Sequence, residues 1–97
     1  MEYADNRISL YAAQYGKCAV TGRTLALHEI HCHHKRPKSA GGTDAYANLV
    51  IVSEGIHQLV HATDEKTISR LLQTLLLDNQ QRNKLNKLRE QANLNAI

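Results

Sequence analysis

All six histidines of this chain lie between residues 28 and 61. Two of them, His57 and His61, are four residues apart, so on a helix their side chains would share one face about 5–6 Å apart. This spacing is a standard way to present two imidazoles to one metal ion. The His33-His34 dipeptide lies upstream, where a hairpin packed on that helix could supply a third ligand. The cluster predicts a metal site, and the alternative is a set of surface or capped histidines with no joint role.

A hairpin followed by a short helix is predicted to position these histidines. Residues 25–34 are predicted to form the first strand, and residues 39–44 form a loop by composition. The run of β-branched and apolar residues at 48–52 is predicted to form the second strand. Ser53 can cap a helix that runs through His61. The predicted order is therefore strand, loop, strand, helix.

Further helices are predicted on both sides of this core. Residues 5–15 have the i, i+3, i+4, i+7 spacing of an amphipathic helix. Its predicted apolar face consists of Ile8, Tyr11, Ala12 and Tyr15. Thr63 or Asp64 is predicted to begin a leucine-faced helix, and a second, basic helix follows a break at residues 78–80.

The composition fits one soluble domain of the α+β class. Of the 97 residues, 42% are hydrophobic and 22% are charged, which excludes a disordered chain. No apolar run is long enough to span a bilayer, and the N-terminus lacks the pattern of a secretory signal. Two cysteines are too few for a disulfide framework. We therefore expect a cytoplasmic protein with no membrane partner. We expect a single domain over residues 1–97, with its core at about 27–61 and C-terminal helices at about 64–93.

The order of these residues resembles the HNH nuclease motif in its ββα-metal form. His33-His34 is followed by Asn48, then by His57 and His61, with two glycines in the intervening loop. The surrounding residues are similar to a narrower group, the C-terminal endonuclease domain of group II intron reverse transcriptase/maturases. The likeness covers roughly residues 6–92, and the segments that carry it are residues 17–22, 33–38, 41–44, 48–49, 57–61 and 84–89.

The resemblance implies a role for each residue of the motif. It implies a ββα-metal core in which His34 is the general base that takes a proton from the attacking water. His33 and His57 would hold one divalent cation, with His61 as a third ligand. Asn48 would act indirectly, by tying the loop to the strand so that His34 keeps its orientation.

The resemblance also implies the reaction and the partners. The expected activity is metal-dependent hydrolysis of DNA to 3′-hydroxyl and 5′-phosphate ends, in which the 3′-hydroxyl primes reverse transcription of the intron RNA. The expected partners are DNA, the intron RNA and the reverse transcriptase domains of a parent polypeptide. The alternatives are a free-standing HNH nuclease of phage, defence or toxin type, and a metal-stabilised DNA-binding module that has lost catalysis.

The sequence departs from many intron-encoded relatives in its metal ligands. Thr21 stands where a cysteine partner of Cys18 would fall, so no zinc knuckle is expected, and Cys32 is expected to face the core. His33 also occupies a position where many HNH proteins have an acid. Three nitrogen ligands favour Zn²⁺ or Ni²⁺ in a crystal, whereas Mg²⁺ or Mn²⁺ is expected for activity.

Basic residues surround the doubled histidine. The formal net charge is only +3, but Lys35, Arg36 and Lys38 follow His34 directly. Beside a phosphodiester site these three are expected to contact the DNA backbone, with ordinary solvated charges as the alternative. For the basic residues after position 79, a solvated helix face and a phosphate-binding surface remain equally open.

His28 and His31 are expected to be structural residues or neighbours of the metal ligands. For Gly41-Gly42, a merely flexible loop and a required backbone shape also remain equally open.

Overall fold

A computed structural model describes residues 2–97 and has the α+β architecture predicted from the sequence. A two-stranded antiparallel sheet lies among four α-helices in the described residues, an arrangement compatible with a ββα-metal fold. The elements are α1 (Glu2–Ala13), β1 (Ile30–His34), β2 (Leu49–Ser53), α2 (Glu54–His61), α3 (Glu65–Leu75) and α4 (Asn79–Gln91), with 3₁₀ turns at Leu27–Glu29, Lys38–Ala40 and Tyr46–Asn48.

The first strand is shorter than predicted. The predicted strand at residues 25–34 is wrong in its first half, because Leu27–Glu29 forms a 3₁₀ turn and β1 begins only at Ile30. The Glu29 carboxylate accepts a hydrogen bond from the backbone N–H of Ala26 at 2.8 Å. This side-chain bond gives the backbone a local partner and stabilises a turn where the residue types suggested a strand. The second strand differs from its prediction by one residue at each end.

The strand register separates the histidines of β1 onto opposite faces of the sheet. His33 pairs with Val50 and His34 pairs with Leu49. Successive side chains on a strand point to opposite faces, so His31 and His33 share one face and His34 lies on the other. Helix α2 packs on the His33 face, and α1 packs on the His34 face. The fully buried core between these layers consists of Val20, Leu49, Ile51, Val52, Ile56, Leu59, Val60 and Leu85.

Helix α1 presents a different face to the sheet from the predicted one. The predicted apolar face is wrong for Ile8 and Tyr15, which are 68% and 84% exposed, and Tyr15 also lies beyond the end of the helix. Tyr11 of the predicted face does pack against the core. The buried side of α1 uses Leu10, and the polar residue Gln14, which directly follows the helix, lies against the sheet. The Gln14 amide donates to the carbonyl of Ile51 and accepts from its N–H, both at 3.0 Å. These bonds satisfy the free edge of β2 and attach α1 to the sheet.

Helix α2 is held at both ends. Ser53 caps its N-terminus as predicted, with its hydroxyl accepting a bond from the Ile56 N–H at 3.3 Å. At the other end, the Arg89 guanidinium of α4 donates to the carbonyls of Leu59 at 2.6 Å and Ala62 at 2.8 Å. Arg89 is only 3% exposed, and a cation at the C-terminus of a helix also complements the helix dipole. The helix that carries His57 and His61 is therefore fixed to the rest of the domain.

The two C-terminal helices begin at capping aspartates. Asp64 caps α3, one of the two starts that the sequence allowed. Asp78 caps α4 and exchanges side-chain bonds with Gln81, so the predicted break at residues 78–80 is the helix start itself. Across residues 2–97, none of the helices combines the length and the hydropathy that crossing a membrane would require.

Candidate metal centre

Three histidine rings meet where α2 packs on β1. The ring centroids of His33 and His57 are 5.4 Å apart, those of His33 and His61 are 5.1 Å apart, and those of His57 and His61 are 4.8 Å apart. One ring nitrogen from each residue lies within 4.8 Å of the other two. His33 is buried, His57 is half-buried and His61 is exposed, so the cluster is closed on the hairpin side and open towards solvent. This arrangement can hold one metal ion and leave a side accessible to a further ligand.

Two backbone periodicities produce this convergence. The four-residue spacing of His57 and His61 places both rings on one side of α2. The alternation of β1 points His33 at that same side of the helix. The metal site predicted from the histidine spacing therefore has its three candidate ligands together in space.

The buried nitrogen of His33 provides a test of whether an ion fits. His33 is 1% exposed, and its Nε2 atom is buried with no hydrogen-bond partner among the described residues. An unsatisfied buried polar atom is costly, and coordination to a metal ion would give this nitrogen a partner. The donor set of three imidazoles suits a divalent transition ion, so the residues fit a bound metal.

Burial also keeps two of the candidate ligands in the form that binds metal. It lowers the pKa of His33 to about 4, with a further decrease from the neighbouring His61 and His57 rings. Burial likewise lowers the pKa of His57, and the nearby His61 and His31 rings add to this effect. At neutral pH both rings are therefore uncharged, as a metal ligand must be.

A fourth ring lies beside the cluster without joining it. His31 stacks on His57, with the ring centroids 5.2 Å apart and the planes inclined by 23°. His31 also lines an adjoining cavity of about 660 Å³ with His28, Glu29 and Glu54. In residues 2–97, only His33, His57 and His61 form a converging group of three candidate ligands. His31 is thus a neighbour of the centre, and His28 is an exposed residue of the cavity rim.

His34 occupies a separate environment on the opposite face of the sheet. Its Nε2 atom lies 2.8 Å from Oδ1 of Asp44, and its ring stacks on Tyr3 of α1 with centroids 5.6 Å apart. Hydrogen bonds from His34 and Lys38 hold the pKa of Asp44 below its usual value, so this carboxylate is ionised and can only accept. The Nε2 atom therefore carries the proton that it donates to Asp44. In the neutral ring, Nδ1 is then the nitrogen with a free lone pair.

The loop between the strands is held by Asn48. Its side-chain oxygen accepts from the Arg36 N–H at 2.9 Å, and its amide donates to the carbonyls of Arg36 at 3.1 Å and Thr43 at 2.8 Å. Asp44, which follows Thr43, is held by Asn6 of α1, whose side-chain amide donates to the carbonyl of Asp44 at 2.9 Å. These bonds join both ends of the loop to the start of β2, and they fix the place from which Asp44 reaches His34.

Gly42 allows the loop to close. A Cβ atom at this position would lie 1.7 Å from the carbonyl oxygen of Arg36, which no side chain tolerates. Of the two interpretations open for the Gly41-Gly42 pair, the structure supports a required backbone shape at Gly42.

The basic residues that follow His34 are bonded to this loop. Lys35 donates to the carbonyl of Ala47 at 3.2 Å, and the Arg36 Nε atom donates to the carbonyl of Ala40 at 2.7 Å. Lys38 forms an ion pair with Asp44 at 3.1 Å. All three therefore contribute to the shape of the loop, and their contact with DNA stays a prediction.

Sequence reasoning missed the two partners of His34. Asp44 is ten residues away from it in sequence, in a segment whose composition predicts only a loop. Tyr3 lies before the predicted start of the first helix. An acid shortly after a doubled histidine is a signal that could have drawn attention to Asp44, but the path of the loop was needed to bring the two groups together.

Comparisons with protein-family models, curated proteins and solved structures gave no match for this chain.

Proposed function

We propose that this domain is a metal-dependent DNA endonuclease of the ββα-metal, or HNH, kind. It hydrolyses phosphodiester bonds and leaves 3′-hydroxyl and 5′-phosphate ends. The observation that carries the proposal is the contrast between two adjacent residues of β1. His33 joins a cluster of three imidazoles, while His34 stays outside the cluster and is hydrogen-bonded to a carboxylate. One strand end thus offers both a site for a divalent cation and a separate base, which phosphodiester hydrolysis requires.

His34 is the general base in this proposal. Imidazole is the side chain that exchanges a proton most readily near neutral pH. The ionised Asp44 fixes the proton on Nε2, so Nδ1 is left to take the proton of the attacking water. The side chain of His34 is 22% exposed, which leaves the ring accessible to a water molecule at the edge of the sheet.

His33, His57 and His61 would hold the metal ion. A bound divalent cation supplies Lewis-acid chemistry, because it neutralises charge on the scissile phosphate and on the departing oxygen. Mg²⁺ or Mn²⁺ serves activity in this proposal, and the three nitrogen donors also accept Zn²⁺ or Ni²⁺. The protein's own contribution is to keep the buried His33 and the half-buried His57 uncharged and to hold their rings together where α2 packs on β1.

Asp44 and Asn48 are positioning residues. Asp44 orients the His34 ring directly, and Asn48 keeps Asp44 in reach by clasping the loop at Arg36 and Thr43. Neither has to touch the substrate to affect the rate, because a general base works only when its nitrogen is correctly placed.

The finer proposal concerns the biological setting. On the resemblance described above, the domain nicks target DNA as the terminal nuclease module of a group II intron-encoded protein. Its partners are then the reverse transcriptase domains of the parent polypeptide and the intron RNA. A reverse transcriptase encoded in the flanking reading frame would support this setting, and its absence would favour a free-standing nuclease.

A plasmid-nicking assay tests the proposal. The protein is incubated with supercoiled DNA and Mg²⁺, Mn²⁺ or Zn²⁺, with and without EDTA, and polymerase extension then checks the nicks for a 3′-hydroxyl. His34→Ala is expected to slow cleavage by about 10²–10⁴-fold, the usual contribution of a general base, and to keep the stabilisation by metal. His28→Ala is the matched control, since His28 is exposed and outside the cluster. Absence of cleavage with every metal would leave the metal-stabilised DNA-binding module as the better interpretation.

A further inference from the structure

Basic side chains from distant parts of the chain converge on one side of the domain. Three adjoining grooves share their lining residues. Lys17 and Lys84 line the first, Lys84, Lys87 and Lys35 line the second, and Lys35 and Arg36 line the third. Because Lys84 belongs to the first two grooves and Lys35 to the last two, the surface is continuous. We call these five residues, Lys17, Lys35, Arg36, Lys84 and Lys87, the basic track.

The charge of the basic track is largely uncompensated. Asp78, at the end next to Lys17, is the one acid among the described residues that line the three grooves. Within residues 2–97, Lys84 and Lys87 have no ion-pair partner, and both are exposed. The cavity beside His31 differs, since Glu29 and Glu54 line it. The track therefore carries five cations against one acid, whereas the formal net charge of the whole chain is +3.

The fold leads this track to the candidate site. On α4, Lys84 and Lys87 are three residues apart and lie beside Leu88, which packs into the core. Leu88 and Val50 form the floor of the middle groove, and Val50 is paired with His33 across the sheet. Lys35 follows His34 directly in the chain. The track therefore reaches the strand that carries His33 and His34.

The lining of the track indicates which part of a nucleic acid it binds. Apart from its cations and Asp78, it consists of uncharged polar residues, aliphatic residues and one cysteine, and no aromatic side chain is among those described. Base-stacking surfaces need such rings, whereas lysine contacts phosphate without regard to sequence. The chemistry of the track is that of a backbone contact.

We propose that the basic track binds the phosphate backbone of the DNA duplex that the histidine site cuts, on the flank of the scissile bond. This inference rests on the proposed function for the choice of duplex DNA as the ligand. It assigns a role to α4, which carries none of the site residues.

The proposal is tested by measuring the affinity of the whole chain for a short DNA duplex at several salt concentrations. The measurement is made in EDTA so that no strand is cut. The logarithm of affinity falls with the logarithm of salt concentration by about 0.9 per phosphate contact. Lys84→Gln with Lys87→Gln should therefore reduce this slope by about 1.8, so that the ratio of wild-type to variant affinity widens roughly 60-fold for each tenfold decrease in salt. Lys66→Gln with Arg70→Gln on α3 removes the same charge from exposed positions outside the track and should leave the slope nearly unchanged.

The outcomes separate this inference from the nuclease proposal. The track would be overturned as a DNA surface if the slope were unchanged in the α4 variant or changed equally in the α3 control. Binding of single-stranded RNA in preference to the duplex would also overturn it. A reduced slope in a protein that never cuts DNA would support the track and refute the nuclease. Thermal unfolding of both variants should match the wild type, because all four substituted side chains are exposed.

Discussion

Replacement of His33 by leucine should have two opposite effects. Without metal, His33 keeps a buried nitrogen unsatisfied, at a typical cost of about 1–3 kcal/mol. Leucine fills a similar volume with no polar atom. His33→Leu in EDTA should therefore raise the free energy of unfolding by about 1–3 kcal/mol, and the melting temperature by roughly 4–8 °C per kcal/mol for a domain of this size. The same substitution removes the one fully buried candidate ligand of the candidate metal centre, so the metal-induced stabilisation should be lost.

Thermal unfolding followed by circular dichroism measures both effects. The free energy of unfolding of the wild type should rise by about 2.7 kcal/mol when free Zn²⁺ or Mn²⁺ is at one hundred times its dissociation constant. EDTA should reverse this rise. His33→Leu should melt at one temperature in metal and in EDTA. His28→Leu is the control, because this exposed residue should change neither quantity by more than about 0.5 kcal/mol. The reasoning would be refuted if His33→Leu lost stability in EDTA or was stabilised by metal as much as the wild type.

Three further predictions concern pH, the end of α2 and the loop. In EDTA, the free energy of unfolding of the wild type should fall by about 3 kcal/mol as the pH falls from 6.5 to 4. The pKa of His33 is lowered to about 4 in the folded protein, so between these pH values the unfolded chain binds more protons than the folded chain. Urea unfolding at each pH should show this loss, and His33→Leu should reduce it. Arg89→Met should cost about 2–3 kcal/mol in urea unfolding, since it leaves the carbonyls of Leu59 and Ala62 without their donor; a cost below about 0.5 kcal/mol would contradict this role. Gly42→Ala should abolish the proposed nicking, because the added Cβ atom would meet the carbonyl oxygen of Arg36 and the loop would have to move. The variant should keep the metal-induced rise in melting temperature, since the three candidate ligands lie outside the loop. Full nicking activity in this variant would contradict the role assigned to the loop.

Local patterns were sufficient to predict the helix that carries two of the candidate metal ligands. Ser53 is a good cap, the apolar residues of α2 follow a helical period, and both histidines lie on one side as a result. Asp64, one of the two predicted starts, caps α3 in the same way, and α4 begins inside the predicted break, at its cap Asp78. Such features depend on a few neighbouring residues, so the sequence alone determines them.

Contacts between distant residues account for what the sequence analysis missed. Directly after α1, the side chain of Gln14 bonds the edge of β2, and a polar contact of this kind does not appear in an apolar pattern. The link between His34 and Asp44 depends on the path of the loop, which Asn48 sets from the start of the next strand. Composition identified the loop but could not indicate which of its side chains would return to the sheet.

The separation of His33 from His34 depends on the register of one short hairpin. A slip of one residue would turn His34 towards α2 and move His33 to the side of Asp44, because each step along a strand reverses the face. A sheet of two short strands specifies its register weakly by itself. Here the bonds of Gln14 to Ile51 and of Asn48 to Arg36 hold both the free edge of β2 and the loop in one alignment. The two roles proposed for the doubled histidine, metal ligand and base, are therefore maintained by residues that take part in neither.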